Sequence, residues 1–146
     1  MGCGRVGAAL AVDLARDGAQ VMILDIDPSA FRFLPEDFPG TKVVGNGIDL
    51  DVLRKIGVDR MDVFVSATRG DNRNVMAAQI ARHILGVPVV ASRVFDPLRE
   101  EMYRNMGLRT INPTRVQAKR LKKIIEAESE EEANEIVAGF MRQEES

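Results

Sequence analysis

Cysteine and long apolar runs are what this sequence most clearly lacks. Cys3 is the only cysteine among 146 residues, which excludes an internal disulfide and a cysteine-based metal cluster. A reducing cytoplasm is therefore the expected location. No apolar run approaches the roughly 20 residues that cross a bilayer, and the N-terminus lacks the apolar stretch of a secretory signal. We expect the protein to act at a membrane only through a partner.

A surplus of positive charge is also missing. Twenty Lys and Arg residues face 22 Asp and Glu, and the net charge of -2 argues against a dedicated nucleic-acid binder. The basic cluster of Lys119, Arg120, Lys122 and Lys123 has no interleaved aromatic residues, so we interpret it as a solvated helix face. The composition, 45% hydrophobic and 29% charged, predicts one soluble globular unit that recognises a small ligand or a protein.

The order of apolar runs and helical patterns predicts an α/β protein. Strands and helices alternate throughout, which is typical of a Rossmann-like, doubly wound parallel sheet with flanking helices. Strands are predicted at 21–24, 42–44, 62–67, 88–92 and 109–111. Helices are predicted at 7–16, 29–34, 50–56, 71–85 and 97–107, with Asp49 as the cap of the third.

The last third of the chain changes character. A basic helix is predicted at 114–127 and an acidic one at 129–142. The acidic helix carries one apolar stripe, formed by Ala133, Ile136, Val137, Phe140 and Met141. We therefore divide the chain into a Rossmann-like domain at 1–113 and a helical extension at 114–146. The stripe either packs on its own domain or docks on a second subunit, and the sequence leaves both open.

A glycine-rich motif opens the chain. The motif Gly2-Cys3-Gly4-Arg5-Val6-Gly7 matches the dinucleotide fingerprint, in which the glycines allow a tight turn, close approach of pyrophosphate, and close packing of the helix. Asp25 ends the next predicted strand about 20 residues on, where a carboxylate accepts hydrogen bonds from a ribose. A carboxylate there repels a 2′-phosphate, so NADP is disfavoured. Asp27 either shares this edge or caps the helix at Pro28.

The fingerprint normally follows a strand, but only Met1 precedes Gly2. The first, central strand is therefore predicted to be truncated. Either the sheet lacks this strand, a start site lies further upstream, or the nucleotide site is formed in another way.

Four further segments carry a resemblance to a known family. They are GNGID from Gly45, ATRGDNRN from Ala67, QIA from Gln79 and RVFDP from Arg93. Together they resemble the N-terminal (KTN or RCK) domain of Trk-type potassium-uptake regulators, over Gly2 to about Pro113. The resemblance implies a regulatory protein that binds NAD(H) or an adenine nucleotide such as ATP or ADP. It further implies a homo-oligomer, a dimer or ring, which controls a membrane-embedded potassium transporter or channel from the cytoplasmic side of the inner membrane.

The resemblance also implies a set of binding residues. It places Gly2, Gly4, Arg5, Val6 and Gly7 at the phosphates and Asp25 at the adenosine ribose. Near the adenine it places Asn46, Gly47 and Asp49. At the mouth of the crevice it places Thr68, Asp71, Asn72 and Asn74, and it places Arg93 at a phosphate or a neighbouring subunit. The family usually has Asp where this chain has Asn46, and commonly a second acid where it has Gly70. The ligand's identity therefore stays open.

Two other classes of protein remain as alternatives. A small NAD-dependent oxidoreductase needs an acid and a base, yet the only tyrosine, Tyr103, is followed four residues later by Gly107 instead of lysine. The only histidine, His83, lies within a predicted helix and is interpreted as an ordinary helix residue. We therefore predict that the chain is not an enzyme. The third class is a structural adaptor whose nucleotide site has decayed.

Overall fold

A computed structural model describes residues 1–142. Its strands are β1 (Met22–Asp25), β2 (Thr41–Val44), β3 (Val63–Ser66), β4 (Val89–Arg93) and β5 (Arg109–Ile111). Its α-helices are α1 (Arg5–Arg16), α2 (Leu50–Lys55), α3 (Asp71–Gln79), α4 (Pro97–Asn105), α5 (Pro113–Ile125) and α6 (Glu130–Arg142). Short 3-10 helices cover Pro28–Phe33 and Val58–Arg60. The predicted alternation of strands and helices is confirmed.

All strand pairs are parallel. β1 pairs with β2, and β4 lies between β3 and β5. Helices follow the strands, as expected when crossover connections return the chain to the same end of a parallel sheet. The Rossmann-like fold predicted from the sequence is confirmed. In such a sheet the carboxyl ends of the strands meet along one edge, which brings the residues after β1, β3 and β4 together.

Within residues 1–142, Met1 and Gly2 occupy the position between β1 and β3. The Met1 carbonyl accepts the amide of Ala67 at 2.9 Å, and the Gly2 amide donates to the Leu24 carbonyl at 2.8 Å. The Met1 amino group donates to the Val65 carbonyl at 2.6 Å, and its burial lowers its pKa to about 6. The truncated first strand is thus confirmed, because the sheet's hydrogen bonding splits into a two-stranded and a three-stranded part at this position.

Two groups of buried side chains stabilise the strands. The larger joins Leu24, Leu53, Phe64 and Val90 with the inner face of α3. The smaller joins Cys3 and Ile23 with α1 and the 3-10 helix at Pro28–Phe33. Burying such side chains contributes about 1.5–3 kcal/mol each for a large aliphatic or aromatic residue. Cys3 of the glycine motif belongs to the smaller group and Met1 packs against the larger, so both groups anchor the start of the motif.

The helix predicted at 71–85 has the expected extent, but its hydrogen-bonding pattern changes along its length. It is α-helical to Gln79 and continues as a π-helical turn over Ile80–Ile84, closed by the Leu85 amide on the Ile80 carbonyl at 3.0 Å. Gly86 then ends it with a φ of +72°.

Helices α5 and α6 pack against one another. The Arg120 guanidinium lies 5.0 Å from the centre of the Phe140 ring, and none of the described residues of either helix is fully buried. The buried carboxylate of Glu100 ties α5 to α4, because it accepts Arg104 at 2.5 Å and lies 3.9 Å from Arg115. The division at residue 113 stays a prediction. Over residues 1–142, the structure contains no helix long and apolar enough to span a membrane.

Candidate functional site

An open cleft of about 690 Å³ lies at the carboxyl edge of the sheet, over the glycine motif. This volume is in the range of small-molecule sites. The predicted site residues that line the cleft are Gly2, Gly4, Arg5, Val6, Asp25, Asp27, Asn46, Gly47, Thr68 and Arg93. The structure thus brings together ten of the fifteen, from five separate segments of the chain.

The three glycines of the motif meet different steric demands. Gly2 has a φ of +93°, a conformation that favours glycine. A side-chain carbon on Gly7 would overlap the Gly2 carbonyl oxygen, whereas one on Gly4 would meet open space. Gly4 is the N-cap of α1 and no side chain caps its amides, and the first turn contains no acid. The free amides and the positive end of the helix dipole therefore make this a favourable place for an anion.

Asp25 holds the glycine motif in place. Its Oδ2 accepts the Cys3 amide at 2.6 Å, and its Oδ1 accepts the Asp27 amide at 2.9 Å. Asp27 lines the cleft and also caps the following helix, accepting the amide of Ser29 at 2.9 Å and its hydroxyl at 2.8 Å. These bonds from Ser29 lower the pKa of the Asp27 carboxyl. Both interpretations of Asp27 are therefore compatible with its position.

Five predicted residues do not line the cleft. They are Gly7, Asp49, Asp71, Asn72 and Asn74. Asp49 caps α2 through the amides of Asp51 and Val52, as the sequence indicates. Asp71 accepts the amides of Phe95 and Asp96 at 2.9 and 3.0 Å. Asn72 points to Arg99, which donates to its side-chain oxygen at 2.9 Å. Of the four residues expected at the mouth of the crevice, Thr68 lines the cleft, and the binding roles of Asp71, Asn72 and Asn74 stay predictions.

Asn74 organises the cleft wall from beneath. It is fully buried, because the first turn of α3 turns it inward together with Val75 and Ala78. Its side-chain oxygen accepts the amide and hydroxyl of Thr68 at 2.8 and 2.7 Å, and its nitrogen donates to the carbonyls of Thr68 and Arg93 at 2.8 and 3.0 Å. Asn74 therefore joins the ends of β3 and β4 and sets the position of Arg93.

Sequence reasoning missed several side chains of the cleft wall. The largest are Arg32, Phe33, Arg69, Arg73 and Phe95. Arg69 and Arg73 stand in the same segment as the predicted Thr68 and Asn74, and helical phase indicates that Arg73 points outward when Asn74 points inward. Arg32 and Arg93 each lie over a neighbouring aromatic ring, 4.6 Å from Phe33 and 4.5 Å from Phe95.

The cleft is basic although the chain is acidic overall. Five guanidinium groups line it, from Arg5, Arg32, Arg69, Arg73 and Arg93, against the two carboxylates of Asp25 and Asp27. Partial burial has the largest effect on the pKa of Arg93 and lowers it. The negative charge of Asp71 raises this pKa, and the positive charge of Arg69 lowers it. Such a cleft attracts anions.

The parallel sheet, the glycine motif at the start of α1 and the carboxylate at the end of the next strand define a Rossmann-type domain with an anion-binding loop. The TrkA-N domain family matches residues 1–113, and the chain belongs to this family.

Curated relatives carry matching names. The chain is 44% identical over 115 residues to the Trk system potassium uptake protein TrkA of Streptomyces coelicolor, covering 79% of this chain and 52% of that relative. It is 32% identical over 126 residues to the TrkA homolog of Methanothermobacter thermautotrophicus, covering 86% and 58%. The chain thus spans about half the length of these relatives.

A solved structure shares the fold. It is the NAD(P)-binding domain of an exopolyphosphatase-related protein from Archaeoglobus fulgidus, with a TM-score of 0.68, 19% identity, and coverage of 86% of this chain and 95% of that one. At this identity the likeness concerns the fold alone.

Proposed function

We propose that the chain is a nucleotide-sensing regulatory domain of a potassium-uptake system. One observation carries the proposal. The uncapped start of α1, the open space over Gly4 and the Asp25 carboxylate all border the same cleft. The adenosine ribose lies at Asp25 and the phosphates lie over the glycine motif. The remainder of an NAD(H) or ATP/ADP ligand extends toward the segment from Thr68 to Arg73 and toward Arg93.

The regulatory role rests on the family to which the chain belongs. Relatives bear the name of the Trk potassium uptake system. His83 is exposed and Tyr103 packs against the core, and neither residue lines the cleft. This supports the proposal that the chain is not an enzyme, since hydride chemistry needs a positioned acid or base. The partner is a membrane-embedded potassium transporter or channel, reached from the cytoplasmic side of the inner membrane.

The signal passes through subunit contacts in this proposal. Helix α4 and its C-cap residue carry an exposed apolar stripe of Leu98, Met102 and Met106, at intervals of four residues that place them on one face. The last two are 50% and 53% exposed. A ligand that binds two oligomer arrangements with different affinities shifts them by its differential binding, typically about 1–3 kcal/mol per site. Several sites in a dimer or ring therefore act together.

Light scattering tests this proposal. The molar mass or hydrodynamic radius of the purified chain is expected to exceed that of a monomer and to change when an adenine nucleotide is added. Met102→Glu is expected to reduce the mass toward the monomer, because it places a charge in the proposed contact. Met76→Glu, at a similarly exposed methionine outside the stripe, serves as the control. A monomer whose mass and radius do not respond to any nucleotide would refute the regulatory proposal.

A further inference from the structure

Phe95 joins the wall of the cleft to two helices. Its ring lines the cleft, and the Arg93 guanidinium lies over it at 4.5 Å from the ring centre. The Phe95 amide donates to the carboxylate of Asp71, the first residue of α3, at 2.9 Å. The Phe95 carbonyl accepts the side-chain nitrogen of Asn112, the N-cap of α5, at 3.2 Å. A shift of the Phe95 backbone therefore changes its bonds to both helices.

Asn112 makes a bond in each direction. It is 3% exposed, and while its Nδ2 donates to the Phe95 carbonyl, its Oδ1 caps α5 by accepting the Arg115 amide at 2.8 Å. A backbone bond adds a second link, because the Val94 amide donates to the Ile111 carbonyl at 3.0 Å. Buried polar groups are nearly always paired, so both bonds of Asn112 contribute to holding it in place. The start of α5 is thus fixed against the cleft wall.

Helix α4 starts from the same segment. The Asp96 amide donates to Asp71 at 3.0 Å, and the Asp96 carboxylate caps α4 by accepting the Leu98 amide at 2.9 Å. Both helices that begin here carry apolar side chains on their surface, since Leu98 of α4 is 83% exposed and Ile125 of α5 is 80% exposed. The cleft wall is therefore bonded to the two helices that present these apolar side chains.

A ligand in the cleft acts on this segment. Phe95 is 37% exposed and lines the cleft, so a bound molecule covers part of its ring. Covering apolar surface is favourable, and it restricts the movement of Phe95. Binding that restricts one segment also restricts the groups bonded to it, and this couples two sites without a large change of structure.

We propose that Asn112 couples occupancy of the cleft to the order of α5, with Phe95 as the residue that contacts the ligand. The inference rests on the proposed nucleotide site and names the route by which its signal leaves the cleft. A bound nucleotide holds Phe95 in place and so keeps the bond to Asn112 closed. Without a nucleotide this bond opens more often, and the first turn of α5 opens with it.

Hydrogen exchange of the full chain, followed by mass spectrometry, tests this route. Exchange is measured without nucleotide and with saturating ADP, ATP or NADH in separate samples. The first turn of α5 is expected to exchange at least about threefold more slowly when a nucleotide binds. The π-helical turn at Ile80–Ile84, at the far end of α3, is the internal reference, because it reports the slowing that global stabilisation causes everywhere.

Asn112→Ser separates the bond to Phe95 from the helix cap. Serine is a good N-cap, but its shorter side chain lacks the nitrogen that donates to the Phe95 carbonyl. The extra slowing in α5 is expected to disappear, while nucleotide affinity changes by no more than about threefold, because coupling is reciprocal. Asn112→Asp keeps the size and the capping oxygen without the donor, and it should give the same result. Asn105→Ser makes the same change at an exposed site at the end of α4 and should keep the full response.

The outcomes separate this inference from the proposed function. A nucleotide that binds without extra slowing in α5, or slowing that survives in both Asn112 variants, would overturn the route while binding still supported the nucleotide site. Loss of binding in both variants would also overturn it, because Asn112 would then shape the cleft itself. A folded protein that binds none of the three nucleotides would refute both proposals.

Discussion

Replacing Gly4 with alanine is expected to weaken nucleotide binding by about 100-fold while leaving the fold intact. The backbone at Gly4 is extended, with a φ of -78°, and the added carbon meets no protein atom within 4 Å. The methyl group instead occupies the space over which the phosphates lie, and it separates them from the free amides of α1. The loss of two or more contacts to a charged group, each contributing about 1.5–3 kcal/mol, accounts for the size of the effect.

A matched variant controls for the loss of a helix cap. Gly70 is the N-cap of α3, has a φ of -108°, also has room for a side-chain carbon, and does not line the cleft. Each glycine-to-alanine change is expected to lower the free energy of unfolding by at most about 1 kcal/mol, since alanine is a poorer N-cap. Calorimetry should find weakened binding only for Gly4→Ala. Unchanged affinity in that variant would show that phosphate does not approach the glycine motif.

Asn74→Ala is expected to cause the largest loss of stability of any single polar substitution in the cleft wall. The change removes four hydrogen bonds and leaves the Thr68 amide and the Arg93 carbonyl without these partners, whereas the Thr68 carbonyl keeps its bond from the Arg93 guanidinium. With unpaired buried groups costing about 1–3 kcal/mol each, partly offset by local rearrangement, the free energy of unfolding should fall by about 3 kcal/mol. Urea denaturation measures this difference.

Asn72→Ala is the matched control. Asn72 lies two residues earlier in the same helix, is exposed, and its described side-chain bond is the one from Arg99. Its replacement should change the free energy of unfolding by no more than about 0.5 kcal/mol. If the two variants unfolded at the same urea concentration, the network around Asn74 would not stabilise the junction of β3 and β4.

The fold was largely predictable because hydrophobic periodicity is a local signal. The run Asp62–Ala67 is apolar and short for a helix, which favours a strand between helices, and β3 lies within that run. The π-helical turn at Ile80–Ile84 was not predicted, because the apolar spacing of the segment indicates a helix and does not distinguish its hydrogen-bonding pattern. The truncated first strand was predicted from the single residue before Gly2, whereas the division into two hydrogen-bonded sheets was not.

The cleft was predictable only in part. The glycine motif and Asp25 were predicted correctly as cleft residues, except for Gly7. The motif is recognisable from its own spacing, and Asp25 from its place at the end of one strand. The polar segment from Thr68 to Asn74 contains several side chains suited to a ligand, and composition alone does not indicate which of them turn inward. The first turn of α3 turns Asn74 into the protein and leaves Arg73 at the cleft. Positive charge was therefore underestimated at this end of the site.

Thermal unfolding in the presence of single nucleotides tests the central claim most directly. A ligand at 100 times its dissociation constant stabilises the native state by about 2.7 kcal/mol, which for a chain of this length raises the melting temperature by roughly 5–10 °C. NADH, NAD, ATP, ADP, AMP and NADPH are compared on the same preparation. The account predicts a clear shift with at least one adenine nucleotide and little with NADPH, whose 2′-phosphate meets the Asp25 carboxylate. The absence of a shift with every nucleotide, on a protein that unfolds cooperatively, would contradict it and favour an adaptor that has lost its ligand.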